Sequence, residues 1–216
     1  MKKEFEKRIY TSIIIIPLSL FFLIMGSVYF TFFLCILFLP TAYEWIKMCK
    51  KLMINKILGI IFLLISFYSA YQLRNIVGLN YLILVVLICI FTDIGGYIFG
   101  NFFKGPKLTK ISPNKTYAGA IGGFLLSVAV SLIYKNYLNL ELWNFFDFDK
   151  KYELTFLIFV LIISLVSQTG DLIISYFKRL AKLKDTGKII PGHGGILDRI
   201  DGLIFAIPIS YLLIIL

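Results

Sequence analysis

The residues best suited to chemistry lie together between Ser175 and Asp201, in SYFKRLAKLKDTGKIIPGHGGILDRID. Lys178, Arg179, Lys184, Asp185, Lys188, His193, Asp198, Arg199 and Asp201 crowd into this stretch, between two long apolar segments. Carboxylates beside cations, with a glycine-rich turn among them, suit the holding of metal-bound phosphates at a membrane surface. Two further acids join the set. Asp93 lies in LICIFTDIGGYIFG and Asp171 in SLVSQTGDLIISYFKR, each toward the end of an apolar run. An ionised residue within a span costs about 2.5–3.5 kcal/mol on insertion scales, so each is a functional candidate. For any one of these aspartates, a structural ion pair with a nearby Lys or Arg is the competing explanation.

Spacing sharpens the set. Asp171, Ser175 and Lys178 fall at i, i+4 and i+7, on one helical face. Asp198 and Asp201 are helical neighbours at i and i+3, while Arg199 points about 100° away. Two carboxylates one turn apart, with a third from another helix, can hold a hard cation. Mg²⁺ prefers such oxygen ligands and commonly takes one or two carboxylates plus substrate phosphates. His193 is the sole histidine, and Cys35, Cys49 and Cys89 share no metal-like spacing, so no softer site competes. The cysteines read as small core residues.

Pro191-Gly192-His193-Gly194-Gly195 precedes the last apolar segment. Glycines allow close backbone approach and a helix start presents free N–H groups, so a phosphate cradle is one reading and an ordinary turn the other. His193 orients a phosphate or carboxylate, or caps the helix. Lys178, Arg179, Lys184 and Lys188 neutralise phosphate charge, or serve only as orientation signals. Upstream, Ser112-Pro113-Asn114-Lys115-Thr116 reads as a turn before another helix, with hydroxyls and an ammonium suited to phosphate. Helix capping is the alternative for Ser112 and Thr116. Lys104, Lys107 and Lys110, beside Phe102 and Phe103, fit the lipid headgroup level, and Gly119, Gly122 and Gly123 fit helix packing.

These residues must be positioned by membrane helices. Of 216 residues 59% are hydrophobic and only 16% charged, with mean hydropathy +0.89, which excludes a soluble domain of ordinary composition. No charge occurs from Ile9 to Tyr43. One helix of that length would be about 52 Å long, too long for a hydrocarbon core of about 30 Å, so two passes turning near Gly26-Ser27 are expected. The basic start resembles a signal peptide but lacks a small-residue cleavage site, so it is read as retained. Further spans are expected near 54–73, 79–99, 117–134, 154–177 and 196–216. The fold class expected is all-α: a polytopic integral membrane helix bundle with about seven transmembrane helices.

With the N-terminus in the cytoplasm, 18 of the 22 Lys and Arg fall on the cytoplasmic side, which selects this orientation. The same rule explains the net charge of +10 without nucleic acid. Asp93, Asp171, Asp198 and Asp201 then share one face of the bilayer. The outer loop near 135–153, with Glu141, Asp147, Asp149 and Glu153 among aromatics, reads as solvated and without chemistry. Residues 1–78 read as N-terminal transmembrane helices. Residues 79–216 read as a catalytic membrane domain with cytoplasmic loops 100–116 and 178–197.

The pattern S-x2-K-R-x4-K-D-x-G-x3-P-G-H-G-G-x2-D-R-x-D, from Ser175 to Asp201, resembles the signature of the phosphatidate cytidylyltransferase (CDP-diacylglycerol synthase) family at every fixed position over 27 residues. The Asp93 segment and Ser112–Thr116 resemble a second block of that family. Two positions depart from it: Asn114 replaces a lysine, and Ala118 stands where an acid is usual. The resemblance implies cytidylyl transfer from CTP to phosphatidic acid in a cell's inner (cytoplasmic) membrane, with the active site facing the cytoplasm. It implies Asp171, Asp198 and Asp201 as ligands of Mg²⁺, with Asp93 as an outer partner and a second cation left open. Lys178, Arg179, Lys184 and Arg199 would hold phosphates; Asp185 and His193 join the catalytic set. Ser112, Lys115, Thr116, Ser175, Gly194 and Gly195 would contact substrate. CTP, phosphatidic acid and membrane lipids are the expected partners, with no nucleic acid; homodimerisation is left open. Three other readings compete: a CTP-dependent polyprenol or phytol kinase, an ion-coupled transporter, and an anionic-lipid scaffold. The transporter reading would call for midplane acids and an internal repeat; the acids here lie toward one face and no repeat is visible.

Overall fold

The computed structural model describes residues 2–49, 53–109, 111–113, 115–137, 152–192 and 194–215. Its helices are α1 (Lys2–Met25), α2 (Ser27–Met48), α3 (Met53–Gln72), α4 (Leu79–Phe103), α5 (Tyr117–Tyr137), α6 (Tyr152–Leu180), α7 (Leu197–Ile200) and α8 (Leu203–Ile215). A π-helical turn, Leu73–Val77, extends α3. Among the described residues no strand forms; Lys107 with Thr116 and Ile190 with Gly194 make isolated bridges. Among the described residues, five helical stretches are long and apolar enough to cross a bilayer: Ser27–Met48, Met53–Val77, Leu79–Phe103, Tyr117–Asn136 and Leu154–Leu180. Two shorter apolar helices, Tyr10–Met25 and Leu203–Ile215, accompany them.

The uncharged N-terminal run breaks where its length required. Gly26 sits at φ 64°, in the left-handed region that favours glycine. The turn lets Phe22 of α1 stack on Phe33 of α2, with ring centroids 5.2 Å apart. Arg74 closes the break. Its Nε donates to the Leu23 carbonyl at 3.0 Å and its Nη2 to Ile24 at 3.2 Å, supplying partners for carbonyls that a helix end leaves open.

The last span differs from its expected form. Instead of one helix from 196, the chain makes the single turn α7, passes Asp201-Gly202, and begins α8 at Leu203. Gly202 meets Ser167, so that a Cβ at Gly202 would collide with the Ser167 hydroxyl. Asp198 therefore lies within this short turn and Asp201 just after it, still at helical angles, instead of both opening one long helix.

The chain divides into two compact units. The first comprises 1–79 and 177–201, the second 80–176 and 202–216. In the first, Trp45 of α2 is a hub. Its Nε1 donates to the Asn55 carbonyl at 3.0 Å, its ring meets Phe177 edge-on, and Gly59 leaves room for the indole. In the second, α4 and α5 approach through glycines. A Cβ on Gly95 would meet the Gly122 carbonyl, and one on Gly119 would meet the Gly96 carbonyl. This is the small-residue contact expected of Gly119, Gly122 and Gly123. A buried hydroxyl pair, Thr92 with Ser164 at 2.7 Å, joins α4 to α6.

Candidate active site

In the second unit, a turn and a helix bring one lysine to one aspartate. Lys115 N–H donates to the Ser112 carbonyl at 3.1 Å, closing a turn with Pro113 at the position proline favours. Leu108 N–H donates to the Lys115 carbonyl at 2.7 Å. Held this way, Lys115 Nζ reaches Asp171 Oδ2 of α6 at 2.5 Å and the Gln168 carbonyl at 3.5 Å. Ser175 Oγ donates to Asp171 Oδ1 at 3.3 Å, the i, i+4 contact that the spacing predicts. Asp93 lies exposed on α4. Thr116 accepts the Gly119 N–H at 3.1 Å and so caps α5, the alternative open for it from the sequence. Gln168, not singled out by motif, donates to the Ala120 carbonyl at 3.4 Å and ties α6 to α5.

In the first unit, the segment 184–201 folds around Asp198. Lys178 Nζ donates to Asp198 Oδ1 at 2.9 Å; the Thr186 and Gly195 N–H groups donate to Oδ2 at 2.8 and 3.1 Å. The ion pair is nearly enclosed, with side-chain exposures of 11% for Lys178 and 8% for Asp198. Ile190 and Gly194 exchange backbone hydrogen bonds at 2.9 and 3.2 Å, pinching the Pro191–Gly192 turn. Gly194 is at φ 89°. Gly195 is buried because Thr186 and Glu44 fill the space that a Cβ would take. Arg179 is exposed and donates to the Leu183 carbonyl at 3.2 Å, finishing α6. Lys184, Asp185, Lys188 and Arg199 are also exposed. Asp201 is half-buried. His193, Asn114 and Lys110 lie outside the described residues, as does the 138–151 part of the outer loop.

Of the carboxylates expected to hold a cation, Asp171 belongs to the second unit, and Asp198 and Asp201 to the first. Among the described residues no group of three His, Cys, Asp or Glu side chains stands ready to hold a metal ion. The donors are hard oxygens, which fit Mg²⁺ in kind, and lysine ammonium groups are the counter-charges of Asp171 and Asp198.

One acid was missed from the sequence. Glu44 of α2 is 1% exposed and bonds to Thr186, Ile196 and Leu197. The signal was present: it is the first charge after the uncharged run, and an acid at a span end merits the same attention as Asp93.

Comparison with known proteins agrees with the motif. A protein named phosphatidate cytidylyltransferase from Staphylococcus saprophyticus is 39% identical over 162 residues, covering 74% of this chain and 58% of that protein. One of the same name from Staphylococcus aureus (strain COL) is 41% identical over 154 residues, covering 70% of this chain and 55% of its own length. A third, from Rickettsia felis, is 31% identical over 218 aligned positions, covering 100% of this chain and 94% of that protein. The chain thus spans a little over half the length of the staphylococcal relatives it matches. The sequence model of the cytidylyltransferase family matches residues 51–216, so that Asp93, Lys115, Asp171, Lys178 and Asp198 all fall inside the match. With its all-helical fold and several apolar helices, this chain belongs to the cytidylyltransferase family.

Proposed function

We propose that the chain is a phosphatidate cytidylyltransferase, making CDP-diacylglycerol and pyrophosphate from CTP and phosphatidic acid. The observation that carries the reading is the motif from Ser175 to Asp201, whose Lys178 and Asp198 pair in a nearly closed setting beside two loop N–H groups. Relatives bearing that name align along all of this chain or most of it. In the reaction a lipid phosphate oxygen bonds to the α-phosphorus of CTP. The bond from that phosphorus to the bridging oxygen breaks, and pyrophosphate leaves with the electron pair. Both reactants are anions, so charge crowding is the chief obstacle.

Lys178, Arg179, Lys184 and Arg199 are the cations proposed to hold phosphates, with Asp185, His193, Ser175, Gly194 and Gly195 in support. Ser112, Lys115 and Thr116 are proposed to meet the lipid headgroup. Asp171, Asp198 and Asp201 are the carboxylates proposed for Mg²⁺, with Asp93 as an outer partner. A bound Mg²⁺ would supply charge neutralisation at the phosphates. The lipid brings its own nucleophilic oxygen, so no Ser or Cys nucleophile is required. Seven passes, a cytoplasmic N-terminus and a site on the cytoplasmic face of the inner membrane complete the proposal. The Lys and Arg bias supports that orientation.

The test is purified chain with labelled CTP and phosphatidic acid, with and without Mg²⁺. The expected products are CDP-diacylglycerol and pyrophosphate, formed only with the cation. Release of CDP and phosphorylation of an alcohol would replace this reading with a kinase.

A further inference from the structure

The segment that carries Asp198 is anchored by a membrane helix far away in sequence. Glu44 Oε2 accepts the Thr186 hydroxyl at 3.0 Å and the Leu197 N–H at 2.9 Å; Oε1 accepts the Ile196 N–H at 3.2 Å. A polar group this buried is tolerated when it is hydrogen-bonded, and here three donors converge on it from one loop. The loop is shaped to admit the carboxyl. A Cβ on Gly187 would strike Glu44 Oε1, and a Cβ on Gly195 would strike both Glu44 oxygens and the Thr186 hydroxyl.

The three contacts interlock with those of Asp198. Thr186 gives its hydroxyl to Glu44 and its N–H to Asp198 Oδ2. Gly195 gives its N–H to Asp198, and the next two N–H groups go to Glu44. Both sides of the loop are therefore pinned by two acids, one of them on α2. Next to Glu44 on the same helix, Trp45 packs edge-on against Phe177, the residue before Lys178. Residues 44 and 45 together brace the two ends of the Lys178–Asp198 pair. Both precede residue 51, where the family match begins.

We propose that Glu44 is a positioning residue for the catalytic loop: it holds Thr186, Ile196 and Leu197 so that Asp198 and Lys178 keep their places. The inference rests on the cytidylyltransferase reading for its kinetic arm only. Glu44→Gln keeps the volume of the side chain but puts an NH₂ where an oxygen accepts N–H or O–H. A packing role alone would leave such a variant unchanged.

The experiment compares the full chain with Glu44→Gln and Thr186→Val, each purified in detergent. The first readout is amide hydrogen exchange across 184–198. Exchange there accelerates tenfold or more in Glu44→Gln, while α4 and α5 keep wild-type protection. The second readout is kinetic: kcat falls tenfold or more, KM for phosphatidic acid stays within threefold, and Glu44→Asp recovers part of the loss. Thr186→Val removes one of the three donors without adding volume and shows a smaller change in the same directions. Wild-type exchange in both variants overturns the proposal, as does wild-type kcat in Glu44→Gln. If the wild-type chain makes no CDP-diacylglycerol, the functional reading fails, and the exchange arm still decides the role of Glu44.

Discussion

Replacing Asp198 by Asn tests the core of the site most directly. Asp198 accepts from Lys178, Thr186 and Gly195. Asn offers one oxygen. Turned toward the two N–H groups, it points its NH₂ at the Lys178 ammonium; turned the other way, it points NH₂ at both N–H groups. Either way at least one donor faces another donor. The pair is nearly enclosed, so the loss lies toward the buried limit, where removing one partner costs about 3–5 kcal/mol. Asn is isosteric and keeps one side satisfied, which favours the lower end, about 3 kcal/mol. In a chain of 216 residues about 1 kcal/mol moves Tm by about 2–4 °C, so the expected drop is about 6–12 °C. Adding Lys178→Met removes the unpaired ammonium. The double variant recovers part of the loss, with a coupling of about 1.5 kcal/mol, inside the usual range for contacting residues. Thermal unfolding in one detergent, run on wild type, both single variants and the double, measures all four corners. A drop under about 2 °C for Asp198→Asn, or simple additivity across the cycle, refutes the pairing as a support of this loop. Turnover adds a second check: Asp198→Asn falls below a tenth of wild-type rate even at temperatures where it stays folded.

Two other outcomes follow from the geometry. The Lys115–Asp171 pair is more open, with exposures of 27% and 24%, so Lys115→Met costs only about 1 kcal/mol or less of stability. Under the proposed function its effect falls on turnover with phosphatidic acid, and unchanged kcat and KM for the lipid would remove Lys115 from the proposed site. Gly119→Ala forces a Cβ against the Gly96 carbonyl, a backbone atom that cannot swing aside, at 2.7 Å. Separating α4 from α5 in this way costs about 1–3 kcal/mol, read as a lower Tm; an unchanged Tm would mean that the two helices do not pack this closely.

The helices and the chemistry were legible for different reasons. Alternation of long apolar runs with short basic loops is a local property, so the break at Gly26 and the spans that became α3 to α6 could be read from composition and length. The motif from Ser175 to Asp201 was legible because its charges are costly in such a chain and sit at fixed spacing. The pairing of those charges was not. Asp171 and Lys178 lie on one face of α6, yet the lysine turns to Asp198 while Asp171 takes Lys115, 56 residues upstream. Choosing among several lysines for one carboxylate depends on which loop arrives within about 3–4 Å, and loop closure carries no periodic signal.

Glu44 and the last helix mark the same boundary. Sequence alone pointed to apolar membrane helices, the helical class and glycines at the packing positions where α5 meets α4, and it supplied the segment proposed as the site, because insertion cost, span length and side-chain volume act residue by residue. Only the folded chain decided that Glu44 would be buried beneath Thr186 and Leu197, that Gly195 would make room for it, and that α7 would part from α8 at Gly202. The burial of Glu44 depends on donors 142 to 153 residues away converging on one carboxyl, and such convergence exists only after long-range packing has formed.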